Sequence, residues 1–267
     1  MAGKDKVIFT ALVLAGQRGP DDPLAQLSPG GQKCLASVAG RPMIERVVAA
    51  LMASGRIGRI AISVGDPAVL QQVPGFAEFL DRGRLLALKS KESPSRSTLA
   101  AIDGLEDAYP LLVTTADHAL LAPRMVRAFC DAASAGGRDL AAGLVSEAVI
   151  RAEVPETKRT YLAFRDGRYS GANLFAFMTP KSSAAAAFWR QVEQERKRPW
   201  RIAKAFGWGL LAAYLLRVWT LEQAMSRASA RIGVTAQAVP LPYAEAAIDV
   251  DKPADLELAE RLLSKRR

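Results

Sequence analysis

The pattern of apolar and polar positions in the first half of the chain predicts strands and helices in alternation. Near-continuous apolar runs are typical of parallel strands that are buried on both faces of a sheet. Four such runs occur, at residues 7–15, 59–64, 85–88 and 111–115. Helical spacing of apolar residues, with proline starts and glycine stops, predicts helices from Pro42 to Gly55, over 98–108, and from Pro123 to Gly136.

The second half of the chain has a less regular pattern. The elements expected there are strands over 139–146, 171–177 and 234–240, a helix at Pro180 capped by Thr179, and helices over 221–232 and after Pro253. The β-α-β-α order of the whole favours an α/β fold with a right-handed, doubly wound, mostly parallel sheet. We expect one domain with two halves, residues 1–120 and residues 121–267, the second carrying an irregular lobe.

Composition and charge narrow the classes of partner. Of the 267 residues 50% are hydrophobic, and the formal net charge is +9, which suits polyanions such as nucleotides, phosphorylated metabolites or anionic lipids. No helix-turn-helix, zinc or RNA-binding sheet signature accompanies the charge, so nucleic acid is not an expected partner.

Cys34 and Cys130 lie far apart without a Cys/His grouping, which argues against zinc and favours a reducing, cytoplasmic location. No apolar run reaches the roughly 18 residues that a membrane-spanning helix needs.

The stretch LVLAGQRG, residues 12–19, has two interpretations. As a secretory signal, it would be the apolar core of a leader cleaved near Gln17. The polar loop GPDDPLAQLSPGGQK follows, however, and leads towards a helix. That continuation favours a buried strand ending in a turn of small residues, whose backbone N–H groups hold phosphate oxygens at the carboxyl edge of a parallel sheet.

Several motifs in this region together resemble sugar-phosphate and alcohol-phosphate nucleotidyltransferases. They are Leu14-Ala15-Gly16, Arg18, Lys33 with Leu35, and Gly40-Arg41-Pro42-Met43. That group includes MobA-like NTP transferases and CTP:phospho-alcohol cytidylyltransferases. Gln17 replaces the second glycine of the family pattern, and Arg18 comes earlier than usual. The resemblance implies a Rossmann-like fold of the GT-A/nucleotidyltransferase type, nucleotide binding by residues 14–17, and catalytic cations at Lys33 and Arg18.

Two acidic segments are the candidate ligands of a magnesium ion, which prefers oxygen donors. Asp117 directly follows the apolar run 111–115, and Asp249 and Asp251 lie two residues apart before Pro253. The resemblance implies that Asp117 and Asp251, with Asp249 close behind, hold Mg²⁺. We expect Asp255 to serve the N-terminus of the last helix instead.

Other candidate contacts have structural alternatives. Ser95, Arg96 and Ser97 match a segment that touches base and ribose in cytidylyltransferases, but Ser97 is equally a helix N-cap. His118, the single histidine, makes an Asp-His pair that resembles inositol-1-phosphate cytidylyltransferases; it is either an acceptor contact or a polar residue at a strand edge. The remaining acceptor-binding candidates are Lys158, Arg159 and Asn173, and a solvated hairpin explains these cations equally well.

The segment 196–219 is basic and then apolar, and it differs most from the family pattern. Five cations precede an uncharged run that contains Trp208 and Tyr214. Cations beside aromatic and apolar residues are typical of contact with an anionic membrane surface. Helical spacing of the apolar positions also favours a buried helix or a homodimer interface.

The sequence thus predicts a cytoplasmic, Mg²⁺-dependent nucleotidyltransferase. The favoured reaction transfers CMP from CTP to a phosphorylated small alcohol or polyol and releases pyrophosphate. A GTP-using, MobA-like guanylyltransferase for a cofactor precursor is the alternative enzyme. A non-catalytic protein that binds the membrane surface with the same fold is the alternative of a different class, and it would place the chain peripherally at the inner membrane.

Overall fold

The computed structural model describes residues 6–17, 19, 22–195 and 214–266. Arg18 and most of the segment 196–219 lie outside these residues. One mixed sheet of eight strands organises the described chain, and a two-stranded ribbon stands beside it. Among the described residues, no helix combines the length and the apolar character that crossing a bilayer requires.

The strands and helices follow one another largely as the sequence predicts. The strands are β1 Phe9–Leu14, β2 Ser37–Val38, β3 Arg41–Pro42, β4 Ile57–Val64, β5 Leu85–Lys89, β6 Leu111–Thr115, β7 Leu140–Ser146, β8 Leu162–Phe164, β9 Gly167–Phe177 and β10 Ala236–Pro240. The helices are α1 Pro23–Gln26, α2 Met43–Ala53, α3 Phe76–Asp81, α4 Pro94–Gly104, α5 Pro123–Ala135, α6 Glu147–Glu153, α7 Ser183–Glu195, α8 Leu221–Ile232 and α9 Pro253–Ser264.

The sheet has the order β10-β7-β9-β6-β1-β4-β5, with β8 paired to β9. Strands β6, β1, β4 and β5 run parallel to one another, and β7 runs parallel to β10. Strand β9 is antiparallel to both β6 and β7. The mostly parallel sheet predicted from the sequence is therefore confirmed, and β9 is its antiparallel insertion. The carboxyl ends of β1, β4, β5 and β6 meet at one edge.

The sheet is buried on both faces, which explains the apolar runs of its central strands. Along β1, Ala11 and Val13 belong to the larger core cluster, which includes residues of α2 and α5. Leu12 points to the smaller cluster on the other face, which α4 and α7 cover. Because consecutive strand residues face opposite sides, a strand with two covered faces needs apolar residues throughout.

Two predicted boundaries are wrong for identifiable reasons. Helix α4 begins at Pro94 rather than at residue 98, because Ser93 is the N-cap and its hydroxyl accepts from Arg96 N. Helix α2 begins at Met43, since Pro42 has an extended conformation in β3. Thr179 precedes the 3₁₀ turn Pro180–Ser182, but its side chain makes no capping hydrogen bond and instead donates to Asp139.

Candidate active site

A cluster of one cation and two acids lies at the carboxyl edge of the sheet. Lys33 Nζ donates to Asp117 Oδ2 at 2.8 Å and to Asp251 Oδ1 at 2.6 Å. Lys33 begins the 3₁₀ turn Lys33–Leu35, Asp117 follows β6, and Asp251 precedes α9. Residues that are 84 and 218 positions apart in the sequence therefore meet at one ammonium group.

Backbone hydrogen bonds hold the two acidic segments together. Val250 N donates to the carbonyl oxygen of Asp117 at 2.9 Å, so the chain before α9 runs beside the loop after β6. Asp255 Oδ2 accepts from the backbone N–H groups of Asp251 and Lys252, each at 3.2 Å. Asp255 thus serves the N-terminus of α9, as the sequence predicts.

The loop after β1 is tied to the turn that carries Lys33. Gln17 Oε1 accepts from Lys33 N at 3.1 Å, so the residue that replaces a family glycine has a structural partner. Ala15 N donates to Ser63 O at 2.7 Å and continues the pairing of β1 with β4. A Cβ atom at Gly16 would lie 3.6 Å from Ser90 Cβ, in ordinary contact. Residues 14–17 therefore border the crevice, and their nucleotide binding stays a prediction, as does the role of Arg18.

A second cluster surrounds Asp249. Its Oδ2 accepts from an Arg159 terminal nitrogen at 2.9 Å, and its Oδ1 accepts from Asn173 Nδ2 at 2.7 Å. The Asp249 side chain is 12% exposed, whereas that of Asp251 is 62% exposed. The two aspartates of the D-x-D motif therefore occupy different environments, one buried with polar partners and the other at the open side of the crevice.

Asn173 owes its direction to an irregularity in the sheet. The register of β7 and β9 shifts between Ala142 and Leu144, and Asn173 has a φ of +46°. Left-handed backbone is uncommon for a residue other than glycine, and bulges of this kind re-aim side chains beside functional sites. The bulge places the Asn173 amide on Asp249, an arrangement that the alternating sequence pattern of β9 does not reveal.

Charge and burial shift the pKa values of both clusters. Burial alone would lower the pKa of the Lys33 ammonium, but the carboxylates of Asp117 and Asp251 outweigh it and raise that pKa. Burial, aided by the nearby Asp117 carboxylate, raises the pKa of Asp249 to about 6, against the opposing effect of Arg159. At this edge of the sheet, the raised pKa keeps Lys33 protonated, whereas burial makes ionisation of the Asp249 carboxyl group less favourable.

Several buried polar atoms at this edge have no hydrogen-bond partner among the described residues. They are Thr115 Oγ1, Asp117 Oδ1, His118 Nε2 and Arg159 Nε. Buried polar groups are normally paired, so these atoms are open to hydrogen bonds from water or a ligand. Asp117 and Asp251 offer the carboxylate oxygens that Mg²⁺ prefers, and in this sense they fit the ion. In the part of the chain that the structure describes, no group of three or more His, Cys, Asp or Glu side chains is arranged to hold a metal. An ion at this edge therefore needs further oxygens from water or substrate.

His118 is not placed to touch an acceptor. Its side chain is fully buried, and Nδ1 lies 3.4 Å from Thr114 Oγ1. Burial, which the neighbouring Asp117 charge offsets only in part, lowers the pKa of His118 to about 4. The predicted acceptor contact is corrected accordingly: His118 is a neutral interior residue that supports the loop of Asp117.

The serine segment in the first turn of α4 has mainly structural partners. Ser95 is fully buried, and its hydroxyl bonds to Ser93 and to Glu193 of α7, which removes it from a direct nucleotide contact. Ser97 Oγ accepts from Lys91 N at 2.9 Å, so Ser97 orders the loop after β5 and is not the helix cap. Arg96 is half-exposed and pairs with Glu92 at 3.2 Å.

Lys158 and the segment 196–219 are the remaining predicted sites. Lys158 is exposed and neighbours Arg159 in the loop between α6 and β8. Of the segment 196–219, the structure describes residues 214–219. Tyr214 packs edge-on against Phe164 with ring centroids 5.9 Å apart, and Leu215 and Leu216 are exposed.

Comparisons with known proteins show the family of this chain. A sequence profile of the MobA-like NTP transferase domain matches residues 11–167. The solved structure of a hypothetical transferase from Thermus thermophilus is 30% identical, with a TM-score of 0.77, and the match covers 94% of this chain and 100% of that chain. No curated protein matches the sequence.

Two further solved structures share the fold at lower identity. A 4-diphosphocytidyl-2C-methyl-D-erythritol synthase from Anaerococcus prevotii is 12% identical, with a TM-score of 0.57 and 97% of each chain covered. A CMP:2-keto-3-deoxy-manno-octonic acid synthetase, solved with CTP, is 16% identical, with a TM-score of 0.55, and 98% of this chain and 100% of that chain are covered.

Proposed function

This chain belongs to the MobA-like NTP transferase family and is a nucleotidyltransferase, and on that premise we propose that it transfers CMP from CTP to a phosphorylated small alcohol or polyol. The observation that carries the proposal is the bridge from Lys33 to Asp117 and Asp251 at the carboxyl edge of the sheet. In open α/β sheets, ligands bind outside the carboxyl ends of the strands. The bridge is therefore placed where a triphosphate would enter.

The reaction needs charge and alignment more than covalent help from the protein. A phosphate oxygen of the acceptor attacks the α-phosphorus of the triphosphate and forms a new P–O bond. The bond between that phosphorus and the oxygen leading to the β-phosphate breaks, and pyrophosphate leaves with the electron pair. Lys33 supplies a fixed positive charge to the phosphate chain, and Arg18 would add a second.

Asp117 and Asp251 are the proposed ligands of Mg²⁺. Asp117 Oδ2 and Asp251 Oδ1 already face one cation, the Lys33 ammonium group, and Asp251 lies at the open side of the crevice. When bound there, Mg²⁺ would neutralise charge on the phosphates and orient them. Because Mg²⁺ in such sites is held by one or two carboxylates together with substrate phosphates, these two aspartates are a sufficient protein contribution.

The acceptor phosphate is the proposed ligand of Arg159, with Lys158 beside it. Arg159 Nε is buried and has no hydrogen-bond partner in the described chain, while a terminal nitrogen of the same group is held by Asp249. Asn173 holds the other oxygen of Asp249. We therefore assign Asp249 to fixing Arg159, in place of the metal ligation that its position in the D-x-D motif predicts.

CTP is the first choice of nucleotide, and GTP is the second. The 4-diphosphocytidyl-2C-methyl-D-erythritol synthase and the synthetase solved with CTP support CTP, through their fold alone. The family profile, described as MobA-like, favours the alternative of a guanylyltransferase that acts on a cofactor precursor. Residues 14–17 would contact either triphosphate, with base and ribose near Arg96.

Membrane contact, a homodimer and the cytoplasmic location stay predictions. The described residues add one observation that favours a surface contact, since Leu215, Leu216 and Val218 are exposed next to Arg217. The non-catalytic alternative would require that the ion cluster serves no turnover. Flotation of the protein with anionic vesicles, compared for wild type and for Leu215→Asp, tests the contact separately from catalysis.

Pyrophosphate release from a matrix of substrates tests the proposed reaction. Each of the four ribonucleoside triphosphates is combined with Mg²⁺ and each of a panel of phospho-alcohols and polyol phosphates, with acceptor-free mixtures as controls. We expect acceptor-dependent release with CTP at least about 10-fold above the other nucleotides, and a CDP-linked product by mass spectrometry. Release with GTP and a phosphorylated pterin alone would favour the guanylyltransferase. No acceptor-dependent release with any nucleotide would refute the proposal.

A further inference from the structure

The position of Lys33 bears on how a divalent cation enters the site. The Nζ atom lies between two carboxylate oxygens, 2.8 Å from Asp117 Oδ2 and 2.6 Å from Asp251 Oδ1. A magnesium ion bound to the same two oxygens, at roughly 2.0–2.1 Å from each, would need the space that this ammonium group fills. Lys33 and the ion therefore cannot occupy the bridge together.

We infer that Lys33 closes the cation site until a triphosphate binds, so that a divalent cation alone binds to the protein only weakly. This inference rests on the proposed function, because it assigns the two aspartates to the metal. In the absence of nucleotide, a free divalent cation has to displace an ammonium group that two carboxylates hold. When a triphosphate arrives, its oxygens offer Lys33 new partners, and the bridge is released to the ion.

The charges of the cluster agree with this exchange. With Lys33 in the bridge, one positive charge faces two carboxylates, and the Lys33 side chain is only 13% exposed. Removal of the ammonium group leaves two negative charges close together, one of them on the mostly buried Asp117, and that arrangement is unfavourable without another cation. A divalent ion would neutralise the two carboxylates in place of the Lys33 ammonium group.

A hydrogen bond connects this lysine to the loop expected to receive the phosphates. Gln17 Oε1 accepts from Lys33 N, so the loop after β1 and the turn of Lys33 are mechanically joined. Phosphates bound at residues 14–17 would therefore lie beside the turn that carries Lys33. The divalent cation competes with the Lys33 ammonium group for the two carboxylates, and the triphosphate offers that ammonium group other partners. The binding free energies of the cation and of the triphosphate should therefore be coupled, and the coupling should be reciprocal.

Binding of Mn²⁺ without nucleotide is the direct test, because it requires no turnover. The free Mn²⁺ signal in electron paramagnetic resonance is titrated with wild type, Lys33→Met and Lys181→Met, the last being an exposed lysine remote from the crevice. We expect Lys33→Met to bind one Mn²⁺ at least about 10-fold more tightly than wild type, since the competing ammonium is gone. Lys181→Met should bind like wild type. In the double variant Lys33→Met with Asp117→Asn, the gained affinity should disappear.

Thermal unfolding gives a second readout and guards against a folding defect. A ligand that binds only the folded state raises the unfolding midpoint. We expect Mn²⁺ alone to raise the midpoint of Lys33→Met but hardly that of wild type, and Mn²⁺ with inorganic tripolyphosphate to raise the midpoint of wild type. Equal Mn²⁺ affinity in wild type and folded Lys33→Met would overturn the inference, as would a wild type that the Mn²⁺–tripolyphosphate mixture does not stabilise. Failure of the proposed reaction would instead appear as missing pyrophosphate release, with these binding results unchanged.

Discussion

Carboxylates at the carboxyl edge of the sheet have a different environment from the carboxylate at the opposite edge. At the carboxyl edge, Asp117 has a buried oxygen without a partner among the described residues, and burial raises the pKa of Asp249 to about 6. At the opposite edge, Asp139 precedes β7 and accepts from Thr179 Oγ1 at 2.6 Å, Thr235 N at 2.9 Å and Thr235 Oγ1 at 2.7 Å. These bonds, from Thr179 first and then Thr235, lower the pKa of Asp139 to about 2.

The difference separates a carboxylate that we propose as a ligand of Mg²⁺ from one that joins elements of the fold. Asp139 connects the start of β7 with the residues after β9 and before β10, and its oxygens have partners from the chain itself. Asp117 retains capacity that the chain does not use. A carboxylate with several hydrogen-bond donors contributes to stability even when partly exposed, whereas a buried oxygen without a donor raises the free energy of the folded state.

Removal of the Asp117 charge should give the largest effect on activity. We expect Asp117→Asn to lower acceptor-dependent pyrophosphate release by about 100-fold or more, because a metal ligand and one partner of Lys33 are lost together. Asp131→Asn is the matched control, since Asp131 is half-exposed and pairs with Arg56 Nε at 2.5 Å, outside the cluster of Lys33, Asp117 and Asp251. Circular dichroism checks that both variants fold. Turnover of Asp117→Asn near the level of the control would remove Asp117 from its assigned role.

Replacement of Asp249 distinguishes the two aspartates of the D-x-D motif. Asp249→Asn loses the charge that holds Arg159, and hydrogen bonds to charged groups are worth roughly 1.5–3 kcal/mol. We therefore expect the KM for the acceptor to rise about 10-fold or more, with the KM for nucleotide nearly unchanged and Mn²⁺ binding in the Lys33→Met background retained. Arg159→Met should reproduce the acceptor effect. Loss of Mn²⁺ binding would instead return Asp249 to the role of a metal ligand.

The carboxylate at the opposite end should affect stability and not turnover. Asp139→Asn keeps the shape of the side chain but weakens its three hydrogen bonds, so we expect the free energy of unfolding to fall by about 1–3 kcal/mol. Urea unfolding measures this change, and pyrophosphate release under folding conditions should match wild type. A loss of activity without a loss of stability would contradict the proposed division between the two ends of the sheet.

The stabilisation by Asp139 should also depend on pH in a defined direction. Its folded pKa, about 2, lies below the ordinary value of 3.8, so the ionised form favours folding. The stability advantage of wild type over Asp139→Asn should be complete above about pH 4 and should shrink as the pH falls towards 2. Urea midpoints of both proteins from pH 5 down to pH 2.5 test this. An advantage that grows on acidification would have the wrong sign.

The smallest expected change concerns Gln17. Gln17→Gly restores the glycine of the family pattern but removes the acceptor of Lys33 N, a single hydrogen bond worth roughly 1 kcal/mol. We expect the KM for nucleotide to rise about fivefold, with the KM for the acceptor unchanged. Gln17→Glu, which keeps a side-chain oxygen, should lie closer to wild type. An unchanged or lower KM in Gln17→Gly would show that this bond does not order the nucleotide loop.

Local sequence patterns were sufficient to predict the architecture of the sheet and the position of one acid, Asp117. The apolar run of β6 ends at Thr115, and an acid two residues later has no core to enter, so Asp117 could be expected at an edge. Boundaries were harder to predict, because Ser93 and Ser97 are both reasonable caps and only the packed loop decides between them. Lys33 and Asp251 were paired only through a family resemblance, since no local period connects residues 218 positions apart.

The sequence itself determined the order of the main strands and helices, the burial of the sheet on both faces and the acid after β6, although not the short elements α3, α6 and β8. Hydrophobic periodicity and the signals that end helices and strands act over a few residues. The tertiary structure alone decided that Lys33 fills the gap between Asp117 and Asp251, that a left-handed Asn173 holds Asp249, and that His118 is buried. Those outcomes depend on which distant segments the sheet brings side by side, and on the burial and charge that each side chain then meets.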